Sequence, residues 1–164
     1  MFICRAAISS PPTFTANGEP PMTDLIKIND KLSIAGQIEI EDFATLAGLG
    51  YKAVINNRPE GEEASQPASA EEAEAATNAG MAYAHIPVTG PSISELDVRG
   101  LQAVLANTDG PVLAHCRSGT RSLNLFAIGE VLDGRMNRED LPAFGAEHGI
   151  DMRMADGWLA RNGR

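Results

Sequence analysis

The residues of this sequence with the greatest chemical capacity are consecutive: His115-Cys116-Arg117-Ser118-Gly119-Thr120-Arg121-Ser122. A cysteine thiolate is a strong nucleophile, and backbone N–H groups that converge on it stabilise it. Gly119 permits backbone conformations that a side chain forbids, so neighbouring N–H groups can face one point. Arg121 offers a planar, permanently charged fork for a tetrahedral anion. Cys, Gly and Arg at this spacing point to nucleophilic attack at a bound anion. The alternative is a buried structural cysteine beside a capped helix.

The flanking segments say how such a loop is positioned. Apolar Pro111-Val112-Leu113-Ala114 leads in and the apolar stretch Leu123 to Leu132 leads out, which reads as buried strand, tight loop, buried helix. First-turn N–H groups of a helix lack internal partners and carry partial positive charge, so a thiolate or oxyanion placed there is stabilised. The same alternation runs upstream. Leu25–Ile28 and Leu32–Ala35 flank a turn and read as a short hairpin, and Ile40 to Leu49 has helical spacing up to Gly50. Ala53-Val54-Ile55 is a short buried strand. Ser69-Ala70-Glu71-Glu72 reads as a capping box opening an Ala-rich helix that stops at Gly80. Met81 to Val88 is the next strand, and Ser94-Glu95-Leu96-Asp97 is a second capping box. Asn137–Asp140 starts a later helix with Pro142 in its first turn, and Trp158 and Leu159 pack a last one onto the body. The expectation is an α/β domain with a mainly parallel central sheet flanked by helices on both faces. Sites in such sheets form beyond the carboxyl ends of the strands, where loops 56–61, 89–94 and 116–121 fall.

With 164 residues the chain suits one domain, expected over residues 22–164. Residues 1–21, with Ser9-Ser10-Pro11-Pro12, Asn17-Gly18 and Pro20-Pro21, read as a flexible extension. A formal net charge of −9 and a pI near 4.7 argue against nucleic-acid and anionic membrane partners. Any anion site must therefore be a local positive pocket. No apolar run is long enough to span a bilayer. The two cysteines, Cys4 and Cys116, suit a free thiol in a reducing, cytoplasmic setting. His85, His115 and His148 show no metal-ligand spacing, so no metal or other cofactor is expected.

Four pieces taken together carry a resemblance: Ala35-Gly36-Gln37, the stretch Val54-Ile55-Asn56-Asn57-Arg58-Pro59-Glu60-Gly61-Glu62, His85-Ile86-Pro87-Val88, and the His115–Ser122 loop. From about Ile26 to Leu132 the chain resembles the phosphatase-like domain of bacterial beta-lactamase-hydrolase-like proteins, a branch of the protein tyrosine and dual-specificity phosphatase superfamily. The resemblance implies that fold, with Cys116 attacking phosphorus to form a phosphocysteine. It implies that Arg121 and the loop amides of Arg117, Ser118, Gly119 and Thr120 hold the equatorial oxygens. Ser122 would steady the sulfur as it leaves. One departure stands out. The usual phosphatase loop has five residues between Cys and Arg, whereas four intervene here, a length similar to that of rhodanese-type sulfurtransferases. The upstream Gly-His-Ile element of rhodaneses is missing, and the phosphatase-like His85–Val88 stands instead.

The remaining roles divide less sharply. His115 ends a buried strand, and a structural role through ring hydrogen bonds is expected of it. Arg117 is either a second anion clamp or an outward-facing side chain. Arg58 and Glu60 either orient substrate or Arg121, or form a surface pair, and Arg58 is the candidate anion contact. For the proton of the leaving oxygen, Asp97 is the nearest candidate general acid, with Glu95 behind it, although the capping box explains both. Three functions follow: a hydrolase of a small phosphomonoester, a sulfurtransferase carrying a persulfide on Cys116, or a non-catalytic anion-binding or redox-sensing module.

Overall fold

In the computed structural model, which describes residues 24–164, the apolar run before the cysteine becomes the middle strand of the sheet. The chain forms β1 (Ile26–Lys27), β2 (Leu32–Ala35), α1 (Asp42–Gly48), β3 (Ala53–Asn56), α2 (Ser69–Asn78) and β4 (Ala82–His85). It continues with α3 (Glu95–Asn107), β5 (Val112–His115), α4 (Thr120–Leu132), α5 (Leu141–His148) and α6 (Arg153–Arg161). Short 3-10 turns at Gly90–Ser92 and Arg138–Asp140 lead into α3 and α5. The extension expected over residues 1–21 lies outside the described residues. Among those described, no helix is long and apolar enough to cross a membrane.

The five strands lie in the order β1-β2-β5-β3-β4. β5 is parallel to both neighbours, with Ala35 and Asn56 opposite His115, and β4 is parallel to β3. β1 pairs antiparallel with β2, Ile26 facing Ile34, so the hairpin reading holds and the sheet is mainly parallel. β2, β3 and β5 are buried at every position, as strands covered on both faces must be.

Period-two alternation sorts these strands onto two cores. Ala53 and Ile55 of β3 and Val112 and Ala114 of β5 face one core, shared with Val98 and Leu101 of α3, most of α4, and Ala155, Trp158 and Leu159 of α6. Val54 and Leu113 face the other, against Phe43 and Leu46 of α1 and Ala76 of α2. Complete burial of each Leu, Ile, Val or Phe contributes about 1.5–3 kcal/mol. Helix α4 is the innermost, buried without a break from Ser122 to Gly129. At Gly129 it crosses α3 so closely that a Cβ would fall 2.5 Å from Gln102 Nε2 and 3.2 Å from Val98 Cγ1.

The Ser94–Asp97 capping box is present: Asp97 N–H donates to Ser94 Oγ (3.2 Å), and Asp97 Oδ2 accepts from Ser94 N–H (2.8 Å). The expected box at Ser69–Glu72 is displaced by one residue. Ala68 is the N-cap of α2, and its N–H donates to the Glu71 carboxylate (2.9 Å). Glu72 is thereby turned into the protein, where it is 1 % exposed. Its burial places a carboxylate beneath the Cys116 loop.

Candidate active site

Three strand ends build the floor of the site. Cys116 N–H donates to the Ala35 carbonyl (3.4 Å), and Asn57 N–H donates to the His115 carbonyl (2.8 Å). The loop beyond Cys116 is held against the end of β2, where Gln37 N–H donates to the Arg117 carbonyl (3.2 Å). Gly36 makes that approach possible, because a Cβ there would stand 3.0 Å from the Arg117 oxygen. Gly119 caps α4 with φ at +88°, a left-handed conformation natural to glycine. In that conformation its N–H points at Cys116 Sγ from 3.1 Å. Cys116 itself is a fully buried free thiol. A backbone donor at a helix start thus meets the sulfur, and it stabilises negative charge there.

Arg121 stands at the first turn of α4, and its fork is engaged edge-on. Nη1 and Nη2 donate to Glu62 Oε2 (2.9 Å) and Oε1 (2.7 Å), and Nη1 also donates to the Val88 carbonyl (3.0 Å). Burial works against the Arg121 cation, but Glu62 and the nearby Cys116 sulfur outweigh it and hold its pKa above the usual guanidinium value. Glu62 is held below the usual carboxylate range, chiefly by the Arg121 hydrogen bonds and, against the opposing effect of burial, also by Arg58.

Arg58, expected as an anion contact, lies inside the protein. Its side chain is 2 % exposed and surrounded by acceptors: Nε on Glu62 Oε1 (3.0 Å), Nη1 on Gln37 Oε1 (3.0 Å), and Nη2 3.3 Å from Glu63 Oε2. The guanidinium is thus placed to act on these carboxylates. Glu60, its expected partner, instead accepts from the Ser69 N–H (2.5 Å) at the start of α2. Arg117 is 64 % exposed and paired with Glu63 (2.7 Å), so the outward alternative is the one realised. The charges therefore run in an alternating chain, Arg121–Glu62–Arg58–Glu63–Arg117.

The other sequence-derived residues fall as follows. Ser118 Oγ donates to Thr120 Oγ1 (3.1 Å) on the exposed side of the loop. The buried Ser122 hydroxyl donates to Asn57 Oδ1 (2.8 Å), so its one proton is directed away from the sulfur. Asp97 sits in its capping box, accepting from both Ser94 N–H and Ser94 Oγ (2.8 Å each). The His115 ring meets Glu72 Oε2 through Nε2 at 2.8 Å. Glu72 also accepts from Tyr83 Oη (3.1 Å) and Gln37 Nε2 (3.1 Å), and Asn56 Nδ2 donates to the same Tyr83 oxygen (3.0 Å). Burial, with Glu72 nearby, raises the Tyr83 pKa well above that of a free phenol. His85 Nε2–H donates to the Arg58 carbonyl (2.8 Å) and steadies the 57–63 loop.

Glu62, Glu72 and Asn57 were not singled out by type and spacing. Glu62 had one local signal, its position four residues after Arg58. Among the described residues no group of three or more His, Cys, Asp or Glu side chains is placed to hold a metal.

A buried cysteine and an arginine in a tight loop between a parallel strand and a buried helix define the site of a cysteine-dependent, phosphatase-like α/β protein. Residues 24–133 match the family model for the phosphatase-like domain of beta-lactamase hydrolase-like proteins, and the chain belongs to that family. It is 50 % identical over 136 residues to a beta-lactamase hydrolase-like protein of Agrobacterium fabrum, covering 83 % of this chain and 32 % of that protein. The chain thus spans about a third of the length of the curated relatives it matches. A crystallised candidate phosphatase from Neisseria meningitidis superposes with a TM-score of 0.71 and 31 % identity, covering 82 % of this chain and 94 % of that one. The fold is shared with Pseudomonas aeruginosa TpbA, crystallised in complex with phosphotyrosine (TM-score 0.56, 20 % identity, 81 % and 80 % covered).

Proposed function

We propose that the chain is a hydrolase of small phosphate monoesters that works through Cys116. The observation that carries this reading is the Gly119 N–H aimed at Cys116 Sγ at the start of α4, with Arg121 held beside the sulfur by Glu62. The phosphoryl group would lie over Sγ, its oxygens bound by the amides of Arg117, Ser118, Gly119 and Thr120 and by Arg121. The thiolate attacks phosphorus, the S–P bond forms as the ester P–O bond breaks, and the leaving oxygen takes up a proton from solvent water. Water then attacks phosphorus, releases phosphate and returns the thiolate. Glu62 acts as a positioning residue for Arg121, and Arg58 acts through Glu62. Ser122 supports the loop through Asn57, and His115 does so through Glu72. Asp97 is assigned to the helix cap. A buried free thiol suits a reducing compartment such as the cytoplasm.

One observation favours a second reading. Only four residues separate Cys116 from Arg121, and the sulfur is fully buried, which suits a cradle for a single sulfur atom. The Cys116 thiolate would then attack the outer sulfur of thiosulfate, and sulfite would leave with the electron pair of the broken S–S bond. Cyanide would remove that sulfur as thiocyanate. Parallel assays of phosphate release from an aryl phosphate and thiocyanate formation decide between the two. Phosphate release that disappears in Cys116→Ser supports the hydrolase. Thiocyanate formation alone, lost in the same variant, replaces it with the transferase. Silence in both arms removes catalysis and leaves an anion-binding or redox-sensing module.

A further inference from the structure

A cleft of about 730 Å³ opens beside the Cys116 loop at Thr120, within the size range of small-molecule sites. Three parts of the chain wall it. Thr120 starts α4, Gly90 and Pro91 belong to the 3-10 turn after β4, and the last wall is α6 with the residues just before it. Buried hydrogen bonds pin these walls together. Asn124, fully buried, donates from Nδ2 to the carbonyls of Thr120 (2.8 Å) and Asp151 (2.9 Å), while its Oδ1 accepts from Ala155 N–H (2.8 Å). Trp158 Nε1–H donates to the Ile93 carbonyl (2.9 Å), tying α6 to the segment after the 3-10 turn. A cleft held in this way needs little ordering when a ligand enters.

Its floor is apolar and its α6 wall cationic. Met154 packs against the 3-10 turn, its Cε 3.5 Å from where a Cβ on Gly90 would lie. Arg153 is 91 % exposed and paired with Asp151 (2.6 Å). Arg161 lies back along α6, its Nη1 3.2 Å from the place of a Cβ on Gly157. Helical side chains lean toward the helix N-terminus, and the α6 N-terminus is the end that Asn124 fastens to Thr120. Glycine inside a helix is about 1 kcal/mol less favourable than alanine; here it leaves the space in which the guanidinium rests. With Asp151 matched by Arg153, Arg161 makes the cleft net positive on a chain of formal charge −9.

We infer that this cleft receives the leaving-group side of the substrate, an organic phosphate monoester whose alcohol part is apolar and carries a second anionic group. The apolar part lies over Met154 and Pro91, and the second anion meets Arg161 and Arg153. The inference rests on the phosphomonoester reading of Cys116, because it places one molecule across both the loop and the cleft. Arg161 is the specificity-determining residue, since its fork can grip a carboxylate or phosphate in two places.

The test compares phenyl phosphate, 4-carboxyphenyl phosphate and the longer 4′-carboxybiphenyl-4-yl phosphate as substrates of the wild type, Arg161→Ala and Gly157→Ala. For the wild type, at least one carboxylated ester should show a KM about 10-fold or more below that of phenyl phosphate, a preference equivalent to about 1.4 kcal/mol. In both variants the ratio of the two KM values should fall towards one. Gly157→Ala should also raise the Tm, since alanine favours the helix while its methyl displaces only the flexible end of Arg161. A preference lost in a more stable protein is not a folding failure. Equal KM values in the wild type, with turnover intact, would overturn the cleft inference and leave the hydrolase standing. Absence of turnover with every ester would instead overturn the hydrolase reading, and calorimetric titration of the same esters then decides the cleft. Tighter binding of the carboxylated compounds that Arg161→Ala abolishes keeps it, and equal binding removes it.

Discussion

Glu62 is the residue on which the geometry of the site turns, because it meets Arg121 with both oxygens and Arg58 with one of them. Glu62→Gln keeps the shape but loses the charge and one acceptor. Turnover should fall about 10- to 100-fold with little change in KM, as measured by phosphate release. Arg121 holds the Glu62 carboxyl below its usual 4.5. A carboxylate depressed in the folded state adds stability that is present above the unfolded pKa and is lost as pH falls through the folded one. The stability gap between wild type and Glu62→Gln should therefore be full at pH 7 and shrink on acidification below about pH 4.5; denaturant titrations at pH 7 and pH 3 measure it. Arg121→Lys, a point charge in place of a fork, should lose about 100-fold or more in turnover. Asp97→Asn separates a cap from a general acid. A general acid contributes about 100-fold or more, whereas the cap geometry survives as an amide, so a residue that only caps α3 should lose less than about 3-fold.

At the scale of elements, two glycines set the closeness of β2, β5 and the α4 start. Gly36→Ala places a methyl 3.0 Å from the Arg117 carbonyl oxygen, a backbone atom that no rotamer change can move aside. The loop must give way, so activity should drop about 10-fold or more while the circular-dichroism spectrum and two-state unfolding are retained. The strand–loop–helix order was readable in the sequence because apolar runs and the Gly119 break are local signals. The two-sided burial followed from the same runs, whereas the strand order, with β5 between β2 and β3, is set by pairings between segments distant in sequence. Glu72 was not readable. Serine is the better cap by type, but a first-turn carboxylate can reach back to the N-cap N–H in either register, and here Glu71 reaches Ala68. Tyr83, Gln37 and His115, all distant in sequence, decide which way Glu72 turns. The burial of Arg58 was not readable for a related reason: arginines are usually exposed, and only the fold brings Glu62, Glu63 and Gln37 around this one.

At the scale of the whole molecule, the sheet separates two cores and β5 contributes to both. Leu113→Ala empties the side shared with α1 and α2, where the leucine is fully buried. A loss of about 2–5 kcal/mol is expected from urea unfolding, with the loop chemistry per folded molecule little changed. The other core has a consequence for how the protein can be divided. The family match ends at Asp133, yet Leu141, Met152, Ala155, Trp158 and Leu159 belong to the same packed cluster as β5 and α4. The recognisable stretch and the cooperative folding unit therefore have different boundaries. A chain cut after Asp133 would uncover one flank of α4 and strip Asn124 of its α6 partners, so it should bind hydrophobic dyes and unfold without a sharp transition. Nicking the surface turn near Gly134 should instead leave both fragments associated, held by that shared core.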